Sequence, residues 1–212
     1  MTQYSRADID TLLEKMAGER ASLLAAAERM TPEETVFVPA NAEGEEQWTG
    51  AEQLSHLWEM ERSYIAWCRA ALVEDGVSLT GVSGEPVAIP IEDAPEHDVA
   101  ELVAALRQER AGTVAFIEGL SLEQFARTAV SPAFGELTVM QWLRSFYRHD
   151  RQHCAQIERR RSEYVPNFVD GREPNQRQMR IEAVATRRAA SAEAASDASA
   201  QSGASAQSGS AR

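Results

Sequence analysis

The sequence predicts an all-α fold, a four-helix bundle of up-down-down-up topology. Three observations lead there: four long runs with apolar residues at helical spacing, a scarcity of strand-like stretches, and a connection between the second and third runs too long for a tight hairpin.

The first run, Ser5 to Met30, carries Ile9, Leu12, Leu13, Met16, Leu23, Leu24 and Ala27 on one face, and Thr31-Pro32 closes it. Thr49 and Glu52 form a capping box, in which hydroxyl and carboxylate satisfy free amides of the first turn. That box opens a second run with Leu54, Leu57, Trp58, Tyr64, Ile65, Cys68 and Leu72. Asp98 with Glu101 caps a third, built on Leu102, Val103, Leu106, Val114, Ile117 and Leu120. Ser121 with Gln124 starts a short extra turn. Thr138 with Gln141 caps the fourth long run, where Val139, Trp142, Leu143 and Phe146 lead into His149, His153 and Ile157. Only VFVP and PVAIPI offer extended runs, and prolines border both.

Each apolar stripe needs another to bury it, which makes the four runs a bundle. Connections within bundles usually take about 2–8 residues, whereas the stretch 75–97 is far longer and permits a crossover. The third helix then runs parallel to the second. Residues 1–168 form this bundle, with Phe168 expected to dock on it; 169–183 reads as an irregular strap. The segment 184–212 is almost all Ala, Ser, Gly and Gln and cannot offset the entropy of ordering itself, so it is expected to be disordered.

With 33 acidic against 21 basic residues the net charge is −12, which repels a phosphate backbone and argues against nucleic acid. Arginines 144, 148, 151 and 159–161 are expected to form a solvated face paired with Glu52, Glu59 and Glu61. No apolar run approaches the roughly 20 residues of a membrane span, and the N-terminus lacks the pattern of a signal peptide. A cytoplasmic location follows as the expectation, with Cys68 and Cys154 reduced and packed.

His149 and His153 stand four apart, one turn above each other on one helix face. They prolong the inward stripe of Trp142 and Phe146. Protonating both in a poorly solvated site is costly, so they stay neutral and are fitted to bind a divalent cation. His56 supplies a third ligand beside the apolar stripe of the second helix. At about 1.5 Å per residue it lies about 10 Å inside its helix, and the matching level on the fourth helix is reached when the two are antiparallel. The long crossover and the ligand height thus favour one topology. Glu59 and Asp150 are candidate catalytic proton handlers, or groups that orient the ligands; both are otherwise ordinary surface carboxylates.

WTGAEQLSHLWEMERSY and RHDRQHCAQI together resemble the signatures of the DinB/YfiT-like four-helix proteins, bacterial metalloenzyme candidates. The family pattern has one histidine early in the second helix and an HxxxH followed by a GQ-type turn and an aliphatic residue. Here these positions are His56, His149, His153 and Ala155-Gln156-Ile157, with Ala155 where glycine is common. The resemblance covers residues 5–163. It implies a three-histidine site for zinc, nickel or a similar ion, and for some members transfer or isomerisation involving low-molecular-weight thiols.

Three functions compete at this stage. A metal-dependent transferase or hydrolase fits three nitrogen ligands with one position left for water or a thiolate. A zinc peptidase through HDRQH would place Asp150 as the base, one methylene shorter than the glutamate of HExxH. A non-enzymatic binding module would use the metal only to tie helices together. The expected partners are a small-molecule substrate, a thiol among the candidates, and a second copy of the chain in a homodimer, with neither nucleic acid nor membrane.

Overall fold

The computed structural model describes residues 4–40, 42, 44–164, 167–169 and 186. The chain divides into two units, Met1–Glu173 and Pro174–Arg212. Almost all of the expected strap and tail therefore lies outside the described residues. Among the described residues of the first unit, five α-helices appear: α1 (Arg6–Ala27), α2 (Pro32–Thr35), α3 (Gly50–Val73), α4 (Val99–Glu118) and α5 (Val139–Ile157).

Local sequence accounts for the helix starts. Ser5 with Asp8, Thr31 with Glu34, Thr49 with Glu52, and Thr138 with Gln141 each form a capping box. Asp98 caps α4 through the amide of Ala100. Thr31-Pro32 ends α1 as expected and also begins α2, because proline suits the first helical position.

Side-chain contacts fix the direction of the four long helices. Tyr4 meets Thr138 near one end of the bundle and Arg29 meets Glu158 near the other, so α1 and α5 are parallel. His56 faces His149 while Trp67 faces Trp142, so α3 runs antiparallel to α5. Trp58 bonds Glu109 and Arg69 stacks over Phe116, which makes α3 and α4 parallel. Up-down-down-up is the result. The crossover that allows it is anchored along α3: Ser55 donates to the carbonyl of Ile89, Trp67 to that of Val82, and Arg62 to that of Pro86.

A small sheet completes the unit. β1 (Val77–Ser78) pairs parallel with β2 (Thr128–Ser131), which pairs antiparallel with β3 (Gly135–Thr138) in the register Thr128↔Thr138. Neither VFVP nor PVAIPI forms a strand. Val87, Ile89 and Ile91 do alternate inward, but a side chain and not a neighbouring strand satisfies the Ile89 carbonyl, and Pro86 and Pro90 remove the donors a ladder requires.

The core falls into two clusters along the bundle. One gathers Ile9, Leu12, Met16, Tyr64, Trp142 and Phe146; the other gathers Leu23, Leu54, Leu57, Leu102 and Leu106. Full burial of such a side chain stabilises by about 1.5–3 kcal/mol. Cys68 and Cys154 are both buried free thiols. Phe168 stacks on Phe134 with ring centroids 5.0 Å apart, as the sequence anticipates.

The expected pairing of the arginine-rich face needs correction. Glu61 is buried and binds Arg20 and Arg110. Arg151 pairs with Glu163, Arg159 with Glu34, and Arg160 with Glu158. Arg151 also reaches Glu19, so these arginines are paired with α1, with α2 and with the end of α5, while Glu61 turns inward.

Candidate metal centre

His56 from α3 and His149 and His153 from α5 converge with Glu45, which lies on the 3-10 turn Gly44–Gln47 just before α3. One ligand atom from each of the four lies within 4.8 Å of all the others. All four are buried, with exposures of 2% for His56, 7% for His149, 0% for His153 and 5% for Glu45. The Nε2 atoms of His56 and His149 are 3.3 Å apart, and those of His149 and His153 are 3.0 Å apart. Glu45 Oε1 is 3.1 Å from His56 Nε2, while its Oε2 is 3.4 Å from His149 Nε2 and 3.3 Å from His153 Nε2.

These separations fit a shared ion. Donors bound at about 2.0–2.1 Å around a tetrahedral cation lie about 3.3 Å from one another. The donor types also fit, since neutral imidazole and carboxylate are ligands for divalent transition metals.

The surrounding amides orient the donors. Gln53 gives its NH2 to the carbonyl of Trp48 at 3.1 Å, which turns its Oε1 towards His153 Nδ1 at 3.2 Å. Nδ1 must then carry the proton, and Nε2 presents a lone pair to the centre. Gln152 donates to Glu45 Oε2 at 2.9 Å and fixes the carboxylate. The indole of Trp48 covers His56 with centroids 4.2 Å apart.

Electrostatics agree with this arrangement. Burial lowers His56 to about 3, against the pull of Glu45, and lowers His153 as well. Burial alone would raise Glu45, but the facing histidines outweigh it and hold the carboxyl well below its ordinary value. At neutral pH the centre therefore holds His56 and His153 as neutral imidazoles beside the Glu45 carboxylate.

Asp150 and Glu59 stand outside this cluster. Asp150 is fully buried in an ion network: Arg20 Nε donates to Oδ2 at 3.1 Å and Arg110 Nη2 at 3.0 Å. Glu61 binds the same two arginines at 2.6 and 2.8 Å and accepts from Thr113 at 2.7 Å. Burial would raise Asp150, and Arg110 and Arg20 overcome it to lower its pKa. Glu59 is half-buried on α3.

The three histidines expected from the sequence do converge, and Glu45, which the sequence does not single out, joins them. Its position among Glu43, Glu45 and Glu46 gives no periodic signal to single it out. The buried arginines carried a signal: Arg20 sits within the apolar stripe between Met16 and Leu23, and Arg110 follows Leu106 by one turn.

Residues 15–157 match the family model described as the DinB superfamily. No curated protein matches the chain. Two similar solved structures share its fold. YfiT from Bacillus subtilis, described as a probable metal-dependent hydrolase with an unusual four-helix bundle topology, is 21% identical with a TM-score of 0.59, covering 75% of this chain and 89% of that one. TT2238, described as a four-helix bundle protein, is 21% identical with a TM-score of 0.52, covering 71% of this chain and 98% of the other.

Proposed function

Because this chain belongs to the DinB superfamily, we propose that it is a divalent-metal-dependent enzyme of the hydrolase or transferase type, with His56, His149 and His153 as ligands. The convergence of their Nε2 atoms at separations of 3.0 and 3.3 Å carries the reading. Zinc or nickel suits this imidazole-rich set. When bound, such an ion supplies Lewis-acid chemistry, polarising a carbonyl or phosphoryl oxygen. YfiT is described as a probable metal-dependent hydrolase, and the likeness of fold supports the same broad class.

The chain's own residues divide the remaining work. Gln53 keeps the His153 lone pair aimed inward, and Gln152 holds Glu45 in place. Glu45 is ionised at neutral pH and is the base within the cluster, able to take a proton at Oε1 or Oε2 from an attacking water or low-molecular-weight thiol. Asp150, clamped between Arg20 and Arg110, positions α5 and does not handle protons. That clamp also weighs against the peptidase reading of HDRQH, which needs this carboxylate as the base.

One observation favours a second reading. Glu45 offers a fourth protein donor, and four protein ligands are the mark of structural sites. In that case the metal ties α3 to α5 in a non-enzymatic module.

Elemental analysis of natively purified protein tests the metal, with stoichiometric zinc or nickel expected and lost in His149→Ala and His153→Ala. Retention of metal by both variants overturns the site. Glu45→Gln separates the two readings: the enzyme keeps its metal and loses turnover of ester and thiol substrates, whereas the structural module loses metal affinity and thermal stability.

A further inference from the structure

A cavity of about 430 Å³ adjoins the histidine cluster, a volume typical of small-molecule sites. Two of its lining residues are also partners of the cluster. Gln53 bonds His153, and the Trp48 ring lies against His56 at a tilt of 53°. Cavity and metal centre therefore share a wall.

The remaining walls have two characters. Met30, Phe37, Pro39 and Ile157 form an apolar side. Arg159, Arg160 and Arg161 line the other, against Glu34 and Glu46, so the lining is net cationic in a chain whose net charge is −12. Arg159 adopts a left-handed conformation, φ 54°, unusual for a residue other than glycine. The amides of Arg159 and Arg160 bond back to the carbonyls of Gln156 and Ala155, ending α5 in a tight reversal that brings the triplet to the cavity. Arg159 is spoken for by the Phe37 ring, 4.3 Å away, and by Glu34; Arg160 is held by Glu158. Arg161 is exposed and has no ion-pair partner among the described residues.

Two buried polar atoms add an independent sign of a ligand. Among the described residues, Trp48 Nε1 and Gln156 Oε1 have no hydrogen-bond partner, although both side chains line the cavity. Buried donors and acceptors in folded proteins are nearly always paired. The indole N–H, on a residue only 2% exposed, calls for an acceptor.

We propose that this cavity binds an organic oxyanion, the carboxylate or phosphate of a substrate whose apolar body lies on Phe37 and Ile157, and presents it to the metal centre. Arg161 receives the anion through the fork geometry of guanidinium, which matches both headgroups. As the substrate site of the proposed metalloenzyme the proposal rests on that function, but the binding step draws on no metal ligand and is measured separately.

The test is calorimetric titration of the full chain, supplied with equimolar zinc, using 3-phenylpropionate, octanoate and phenyl phosphate beside the neutral 3-phenylpropionamide and octanamide. At least one anion should bind saturably, and its neutral counterpart about tenfold or more weaker, the scale of one charge-assisted hydrogen bond. Arg161→Glu should weaken the anion to a similar degree. Arg151→Glu, exposed on α5 and outside the lining, should leave it unchanged. Absence of binding by all three anions, equal binding of the amides, or an equal loss in Arg151→Glu would overturn the proposal. Zinc content read in the same samples separates the two ideas: protein that binds the anion but holds no zinc sinks the metalloenzyme and spares the cavity.

Discussion

Gln53 Oε1 lies 3.2 Å from His153 Nδ1, and this contact selects the tautomer that turns a ring nitrogen lone pair into the four-residue centre. Partners of this kind are worth about 10–100-fold in metal affinity. Gln53→Leu should therefore weaken zinc binding by about that factor in competition with a chromophoric chelator, with the helical circular dichroism retained. Gln53→Glu, which still accepts from Nδ1, should restore most of it. Equal affinity in Gln53→Leu and wild type would remove the orienting role.

The Arg20, Arg110, Glu61, Asp150 network predicts a large stability effect. Removing one member of a buried ion network leaves uncompensated charge and costs about 3–5 kcal/mol. Asp150→Ala should show a loss of that order in urea unfolding with an unchanged denaturant slope. Arg151→Ala, which breaks solvent-accessible pairs with Glu163 and Glu19, should lose no more than about 1 kcal/mol. Comparable losses would mean that the network contributes no more than a surface pair.

Acid should weaken the metal-free protein from about pH 6.5 downwards. His56 falls to about 3 when folded against an ordinary 6.5, so between those values the unfolded chain binds more protons than the folded one. Stability then falls as pH falls through this window, and His153, lowered in the same direction, adds to the slope. Thermal melts of chelator-treated protein should show a Tm that drops from pH 7 to pH 5 and a shallower drop in His56→Gln. A flat or inverted profile would contradict neutral, buried imidazoles.

Two glycines should respond with opposite sign. A Cβ on Gly84 would sit 2.5 Å from the Arg62 carbonyl carbon and 2.6 Å from the Ser63 amide, backbone atoms of α3 that cannot swing aside. Gly84→Ala should destabilise by about 1–3 kcal/mol, the usual cost of overpacking. Gly18, exposed within α1 with nothing within 4 Å of its Cβ position, should gain about 0.5–1 kcal/mol as alanine. Chemical denaturation of the two single variants is the check.

Much of this molecule was legible before its coordinates because the deciding signals are local. Thr49 with Glu52 and Thr138 with Gln141 announce helix starts within four residues, and His149 with His153 need only the helical repeat to share a face. The level of His56 followed from counting turns once the long crossover made α3 antiparallel to α5. Glu45 was invisible because a short turn carries no repeating pattern, and its partner Gln152 is distant in sequence. The hairpin of β2 and β3 escaped for a related reason: strands of four residues hold too few alternations to register. The ion network was half visible, since arginines within apolar stripes are odd alone and reasonable only once Glu61 and Asp150 are known to meet them.

The parallel docking of α1 against α5 bears on how the chain comes together. Tyr4 and Thr138 are 134 positions apart, and Arg20 and Asp150 are 130 apart, so the first and last helices meet only by closing nearly the whole domain into a loop. Such distant contacts form late and slow the search for the native state. His149 and His153 ride on that last helix and His56 on α3, so a cation shared by all three should act by holding α5 from leaving and not by hastening its arrival.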